Sequence, residues 1–499
     1  MIGRKKATIL TAVFTFLNSF SLIIFNIIYT RMLLKEYGSE INGLISTITQ
    51  FVSFFSVIEG GFTTAAIVAT YKPFAESNYN QLSHILYTIR IFLRRITVII
   101  VFLVLTLGFL YIKVLKSPFD FFKTYGFLLI SVSNVALNIS VLSKRLIILQ
   151  GSNREFIASI FAFVSKIISW VLSIWLIIKG VDVFIVYSCT LLNVILNIVL
   201  IFLYEYKKYP NIVFKGCYDK TLIHGTKDVF IQKIANTIFN STDLILVSGF
   251  IGLSASSVFY LYTMIFRSVS SLVESFVQAP FNSFGNLVAQ DDKEKVKSFL
   301  SMYWSLTLLI SNVLFTTTGI TIIPFVKIYT NDINDYNYIY PLLVLLFYGQ
   351  YICQIFNRPF GTILNVNKKF KEQNLQCGIG AILNIILSLS FIKVIGIYSI
   401  VFGSFISVFV ILIMNIYKAM SLYDTKSILV IIVSFLSNFF LSSVIIVRCI
   451  NIYEVSNYFE WGAYALIVVI IVAIIMVFFN TLVNFKNMQK IINVLIKKH

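Results

Sequence analysis

The chain is predicted to be all-α and polytopic in a membrane, with about fourteen transmembrane helices forming two pseudo-symmetric six-helix lobes and a C-terminal helix pair. Three observations predict this. Hydrophobic residues fill 58% and charged residues only 12% of 499 positions, with a mean hydropathy of +0.88, more apolar surface than a water-soluble core consumes. Apolar runs of about 20 residues recur along the chain, each long enough as a helix to cross about 30 Å of hydrocarbon. Basic residues gather at alternate ends of these runs, the pattern that orients membrane proteins. A β-barrel is excluded, because its strands alternate and run only about 10 residues.

The first lobe, 1–204, opens with Arg4, Lys5 and Lys6 before an apolar run at 8–30. That start resembles a signal peptide, but the run is too long and no small-residue cleavage site closes it, so an uncleaved first helix is expected. The second span, 42–70, follows a turn at Gly38. In FAESNYNQLSHILYTIRIFLRR (74–95), Phe74, Leu82, Ile85 and Ile89 recur at helical spacing against polar residues. This predicts a helix lying in the inner interface before the third span at 96–115. Spans at 125–148, 157–178 and 183–204 complete the lobe. The segment 205–228 contains Pro210, Gly216 and Gly225 and is expected to be a cytoplasmic inter-lobe linker.

The second lobe, 229–418, carries spans at 229–251, 258–284, 299–327, 339–364, 374–394 and 397–417. Pro280 and Pro324 are expected to bend the eighth and ninth. Within 419–499, spans at 427–447 and 461–484 form the C-terminal pair, followed by a second amphipathic stretch, NFKNMQKIINVLIKKH.

Of the 40 Lys and Arg residues, 28 fall on the side that holds both chain ends and nine on the other. This predicts cytoplasmic N- and C-termini and turns the net charge of +19 into a topology signal, leaving little support for a nucleic-acid partner. The five cysteines are scattered without CxxC or metal spacing, so neither disulfides nor a metal site are expected.

An internal repeat supports the two lobes. At an offset of 214 residues Phe25 falls on Phe239, Asn26 on Asn240, Gly38 on Gly252, Ser56 on Ser270, Phe62 on Phe276, Ala65 on Ala279 and Ala75 on Ala289. The offset spans an even number of helices, so both repeats would run in one orientation, related by an axis along the membrane normal.

Six charges lie deep within spans: Glu59, Lys166, Asp243, Arg267, Glu274 and Arg358. Each costs at least about 2.5–3.5 kcal/mol at a helix centre facing lipid, so each should face water or protein. Arg267 and Glu274 lie two turns apart, about 10.5 Å along one helix face, with Ser270 and Ser271 between them. The segment reads as a polar wall. Two readings of these charges stay open: a hydrated transport path, or ion pairs that lock the bundle. Beside Arg358, Pro359 and Gly361 disturb the helix and free backbone groups that need partners.

The stretches TRMLLKEYGSEINGLISTITQFVSFFSVIEGGFTTA (30–65) and NSTDLILVSGFIGLSASSVFYLYTMIF (240–266) carry a family resemblance. The first is similar to a helix, Tyr-Gly turn and helix ending in a glycine pair. The second is similar to an Asp, Gly turn and aromatic entry to the eighth helix. Both patterns resemble bacterial polysaccharide flippases of the Wzx type, in the multidrug, oligosaccharidyl-lipid and polysaccharide exporter superfamily.

The resemblance implies a transporter in the cytoplasmic membrane of a bacterium that moves undecaprenyl-diphosphate-linked oligosaccharide, a capsule or O-antigen unit, to the outer leaflet. It implies alternating access through a cationic cavity between the lobes, which Lys166, Arg267 and Arg358 suit. Glu59, Asp243 and Glu274 are then candidates for proton or sodium coupling. No further cofactor is expected, and the expected partners are the lipid-linked sugar, the bilayer and, where an assembly complex forms, a polysaccharide polymerase and assembly proteins. A drug antiporter of the same fold is the first rival. A membrane-bound polymerase or acyltransferase is the second, disfavoured because His84, His224 and His499 all lie outside the spans and no catalytic constellation is visible. A scaffold for polysaccharide assembly is compatible with a flippase.

Overall fold

The computed structural model describes residues 4–56, 60–76, 78–152, 154–217, 242–278, 293–423, 425–450, 452–485, 487 and 489. The chain divides into two compact units, Met1–Ser257 and Val258–His499. Among the described residues it is all helical, as the hydropathy pattern requires, and ten helices are long and apolar enough to cross a membrane.

In the first unit α1 (Arg4–Ser56) turns at Gly38, whose φ of 85° is the left-handed conformation that a side chain resists. Next come α2 (Gly60–Ala75) and α3 (Tyr79–Val114). Here the sequence expectation needs correcting. The amphipathic stretch is no separate interfacial helix but the first half of α3, which runs unbroken for 36 residues. Asn78 starts it by accepting the Gln81 N–H (3.0 Å), and Leu82, Leu86, Ile89 and Leu93 are buried along one face.

α4 (Phe121–Leu137) passes through a π-helical turn, Asn138–Leu142, into α5 (Ser143–Gly151). Ser143 Oγ donates to the Asn138 carbonyl (3.0 Å) across that looser turn. α6 (Glu155–Ile178) and α7 (Val183–Lys208) form a hairpin. At its tip Lys123 donates to Asp182 (2.7 Å), and this ion pair holds the Asp182 carboxyl below the usual carboxylate range. Tyr187 links three helices, meeting Ser131 Oγ of α4 (2.5 Å) and Thr49 Oγ1 of α1 (3.0 Å).

After α7 the chain folds back on α3. Cys217 N–H donates to His84 Nδ1 (3.0 Å) and Val213 N–H to Ser83 Oγ (3.4 Å), so the start of the expected linker is docked; its remainder lies outside the described residues. Residues 242–250 form α8, and Gly252 (φ 136°) turns the chain into α9 (Leu253–Gln278). Gly38 and Gly252, paired by the repeat, thus occupy the same kind of helix-to-helix turn. The boundary between the units falls inside α9.

The second unit is built on α10 (Lys293–Tyr329), a buried 37-residue helix that continues through Pro324. α11 (Pro341–Phe356) and α12 (Arg358–Val366) are separated at Asn357. α13 (Phe370–Ile395) and α14 (Ile397–Ser421) form a hairpin through Gly396, and α15 (Ser427–Cys449) and α16 (Tyr458–Val483) are the C-terminal pair. Pro280 lies outside the described residues.

Apolar contact alone does not distinguish a helix neighbour from lipid, so polar side chains determine which helices meet. Asn312 Oδ1 of α10 accepts from Tyr348 OH of α11 and from Ser442 Oγ of α15, each at 3.0 Å. Asn438 and Asn480 exchange reciprocal amide bonds (3.2 and 2.9 Å) between α15 and α16. Asn384 of α13 donates to Ser404 Oγ of α14 (3.0 Å).

Asn312→Leu removes the acceptor shared by Tyr348 and Ser442. It should lower the thermal unfolding midpoint of detergent-purified protein, with a loss of about 1–3 kcal/mol for the stranded hydroxyls. Ser442→Ala should cost less in that background than alone. Additive losses would show that the two hydroxyls do not depend on Asn312.

Candidate functional site

α9 carries the polar wall. Its core face is made by Phe259, Tyr262, Phe266, Ser270, Val273 and Val277, all buried at spacings of three and four. The flank beside it exposes Arg267 and Ser271, with Glu274 half-buried one turn further, while apolar Leu272 and Phe276 are exposed on the far side. Ser270, expected beside Ser271 on the wall, is turned inward at 6% exposure. The 100° helical step separates these neighbours: 267, 271 and 274 share a face, and 270 belongs to the 266–273 core row.

Among the described residues Arg267 makes no ion pair or hydrogen bond, whereas Glu274 accepts from Arg358, the first residue of α12. The pair is only partly buried, with 45% of the Arg358 side chain and 27% of Glu274 exposed. The break before α12 positions Arg358. Pro359 has no N–H to donate, and polar side chains hold the surroundings: Asn415 Nδ2 donates to Asn357 Oδ1 (2.8 Å) and Gln373 Nε2 to the Gly361 carbonyl (2.8 Å).

The remaining candidates lie elsewhere. In the first unit Lys166 of α6 is half-buried, and its Nζ donates to Asn18 Oδ1 of α1 (3.1 Å), a neutral acceptor. Asp243 of α8 is buried at 6% exposure. Glu59 lies outside the described residues. The structure therefore pairs Glu274 with Arg358 in the second unit, keeps Arg267 and Ser271 on the same side of α9 as Glu274, and joins Lys166 to Asn18 within the first unit.

Asn18, Asn357, Asn415 and Gln373 are not predicted as site residues, because an uncharged amide stands out little in sequence. Asn18 did carry a signal, as an isolated amide within an apolar run.

Chemically, Arg267 offers a planar guanidinium with no hydrogen bond to a described residue, a geometry suited to bidentate binding of phosphate or carboxylate oxygens. Arg358 can exchange one anionic partner for another. α9 has 26 residues yet is not among the ten described helices long and apolar enough to cross a membrane.

No family model and no curated protein matches the chain. Solved structures do. The lipid II flippase MurJ in an inward closed conformation is 17% identical, with a TM-score of 0.61 over 95% of this chain and 100% of that one. An inward-facing multidrug resistance MATE family transporter of the MOP superfamily is 12% identical, with a TM-score of 0.61 over 84% of this chain and 94% of its own. The eukaryotic MATE transporter AtDTX14 is 12% identical, with a TM-score of 0.53 over 88% of this chain and 97% of its own. The chain therefore has the polytopic helical fold that these flippase and transporter structures share.

Proposed function

We propose that this protein is a flippase that moves undecaprenyl-diphosphate-linked oligosaccharide units across the cytoplasmic membrane of a bacterium, by alternating access, for capsule or O-antigen-type surface polysaccharide. The observation that carries this reading is the row of exposed Arg267 and Ser271 and half-buried Glu274, with Arg358 paired to Glu274, on a helix in a chain of membrane-crossing helices. A lipid-linked sugar poses the matching problem: its hydroxylated, charged head cannot cross hydrocarbon unaided, while its polyprenyl tail can stay in lipid. A polar helix face gives the head a path. The flippase among the fold neighbours, whose substrate is lipid II, supports this class of cargo.

In this reading Arg267 takes the diphosphate and Arg358 exchanges Glu274 for it. The released Glu274 carboxylate then becomes available to a proton or sodium ion, with Asp243 and Glu59 as further coupling candidates and Lys166 as a further cationic contact. The termini are cytoplasmic, and a polymerase and assembly proteins are the expected partners. The multidrug neighbours support the rival antiporter reading, but exposed Arg267 is a poor receptor for a cationic drug.

Arg267→Ala should abolish surface polysaccharide at unchanged protein level in the membrane, and Arg267→Lys should retain part of it. Normal display by Arg267→Ala would refute the diphosphate role. Efflux of a cationic dye from intact cells, with polysaccharide unaffected by deletion, would favour the antiporter.

Hydration of the row is tested separately. In a background without the five native cysteines, Cys at positions 267 and 271 should react with a membrane-impermeant maleimide, and Cys at 270 and 273 should not. Equal protection at all four positions would mean that this face is dry.

A further inference from the structure

We propose that Tyr303 is a positioning residue: its phenol links α9 to α12 at a second point, so that Arg358 can leave Glu274 for an anion without the two helices parting. Such a clamp has a use only where Arg358 exchanges partners, and so rests on the flippase reading.

Tyr303 belongs to α10 and is buried, at 4% exposure. Its hydroxyl donates to the Val277 carbonyl of α9 (2.6 Å), and Thr362 of α12 is within hydrogen-bonding reach of the same oxygen. A phenol has one proton to give and lone pairs with which to accept, so one bond given to Val277 and one taken from the Thr362 hydroxyl are compatible. Val277 follows Glu274 by three residues, and Thr362 follows Arg358 by four, each about one helical turn. The Glu274–Arg358 ion pair and the Tyr303 bridge are thus successive rungs between the same two helices.

The two rungs differ in how readily they open. The ion pair is only partly buried, and an incoming anion can meet the Arg358 guanidinium as the Glu274 carboxylate leaves it. Val277 and Tyr303 are both buried, so water has no access to replace the phenol at the carbonyl. Opening the first rung therefore leaves the second closed. On its own account α12 is fixed to the α13–α14 hairpin by separate bonds: Asn415 to Asn357, Gln373 to Gly361 and, just beyond the helix, Tyr423 OH to Asn367 Oδ1 (3.1 Å). Among the described residues the ion pair and the phenol are the polar links from α9 to α12. Losing both leaves no polar contact to set the spacing of these helices, and apolar surface does not distinguish a helix neighbour from lipid. With the phenol in place, Arg358 stays at one distance from α9 while its partner changes.

The test is the separation of α9 and α12 in the full chain in detergent, read by pulsed double electron–electron resonance in a background without the five native cysteines. Nitroxides are placed at exposed Leu272 of α9 and half-buried Val366 of α12. Glu274→Gln removes the ionic rung without any ligand, and Tyr303→Phe removes the phenol oxygen while keeping the buried ring. Each alone should leave the centre and width of the distance distribution as in the parent. The double variant should shift and broaden it. Thr362→Val with Glu274→Gln should do the same, and Thr362→Ser with Glu274→Gln, which restores a hydroxyl, should return the parental distribution. A phenol that served stability alone would lower the thermal midpoint in Tyr303→Phe without making the spacing depend on residue 274. Broadening by Glu274→Gln or Tyr303→Phe alone, or a parental distribution in the Tyr303→Phe or Thr362→Val double variant, would overturn the proposal. No arm reads polysaccharide export, so the clamp and the flippase reading fail separately.

Discussion

A polar group buried in hydrocarbon has no water to turn to, and the organisation of this molecule follows from that constraint. Leucine, isoleucine and phenylalanine cover most helix surfaces and are nearly indifferent between lipid and another helix. The interhelical amides and hydroxyls are not. Asn312 ties α10 to α11 and α15, the Asn438 and Asn480 pair closes α15 on α16, and Tyr187 ties α7 to α1 and α4. Each such bond contributes only about 0.6 kcal/mol on average, so no single one holds the bundle. Their value is directional. They set which faces meet and at what depth, while close packing supplies most of the attraction.

The same constraint read in reverse singles out α9. Arg267 and Ser271 are not sequestered against other helices but displayed, and Glu274, one turn on, is only half-buried against Arg358. An exposed arginine facing lipid at mid-helix costs at least about 2.5–3.5 kcal/mol, several times what one interhelical hydrogen bond returns. A chain that keeps Arg267 there needs water or a polar ligand against it. The Arg358 and Glu274 pair is only partly buried, and where water reaches such a pair it is worth about 1 kcal/mol or less, because water competes for both partners. That weakness suits exchange, whereas a dry, fully desolvated pair would hold its partner too firmly.

Much of the fold was legible because hydropathy and glycine placement act locally. The predicted spans at 157–178, 183–204, 397–417 and 427–447 lie within or on α6, α7, α14 and α15, because apolar length is what a membrane selects. The turn at Gly38 and its repeat at Gly252 were visible as matched glycines. Gly180 and Gly396, also at positive φ, mark the α6–α7 and α13–α14 turns and went unnoticed, because their spacing of 216 departs from the 214 of the first pair. The interfacial helix was misread for a physical reason. An amphipathic face signals a protein-facing surface as readily as a membrane surface, and Leu82, Leu86 and Leu93 of α3 pack against protein. The break at Asn357 was half visible, in Pro359, but its amide supports come from residues distant in sequence, which no local pattern announces.

The two units share a backbone device and differ in their charges, and the difference bears on what each can bind. Conformation fixes glycine at the turns in both, since only glycine adopts those angles cheaply. The charged residues are under no such requirement. In the first unit Lys166 donates to an uncharged amide, and among the described residues no carboxylate pairs with it. In the second, Glu274 pairs with Arg358, and among the described residues no carboxylate pairs with Arg267. Each unit therefore holds a basic side chain within a predicted span that has no described acidic partner, one a flexible amine and the other a planar guanidinium. The guanidinium can grip two oxygens of an anion at fixed angles, while the ammonium accepts an anion from many directions.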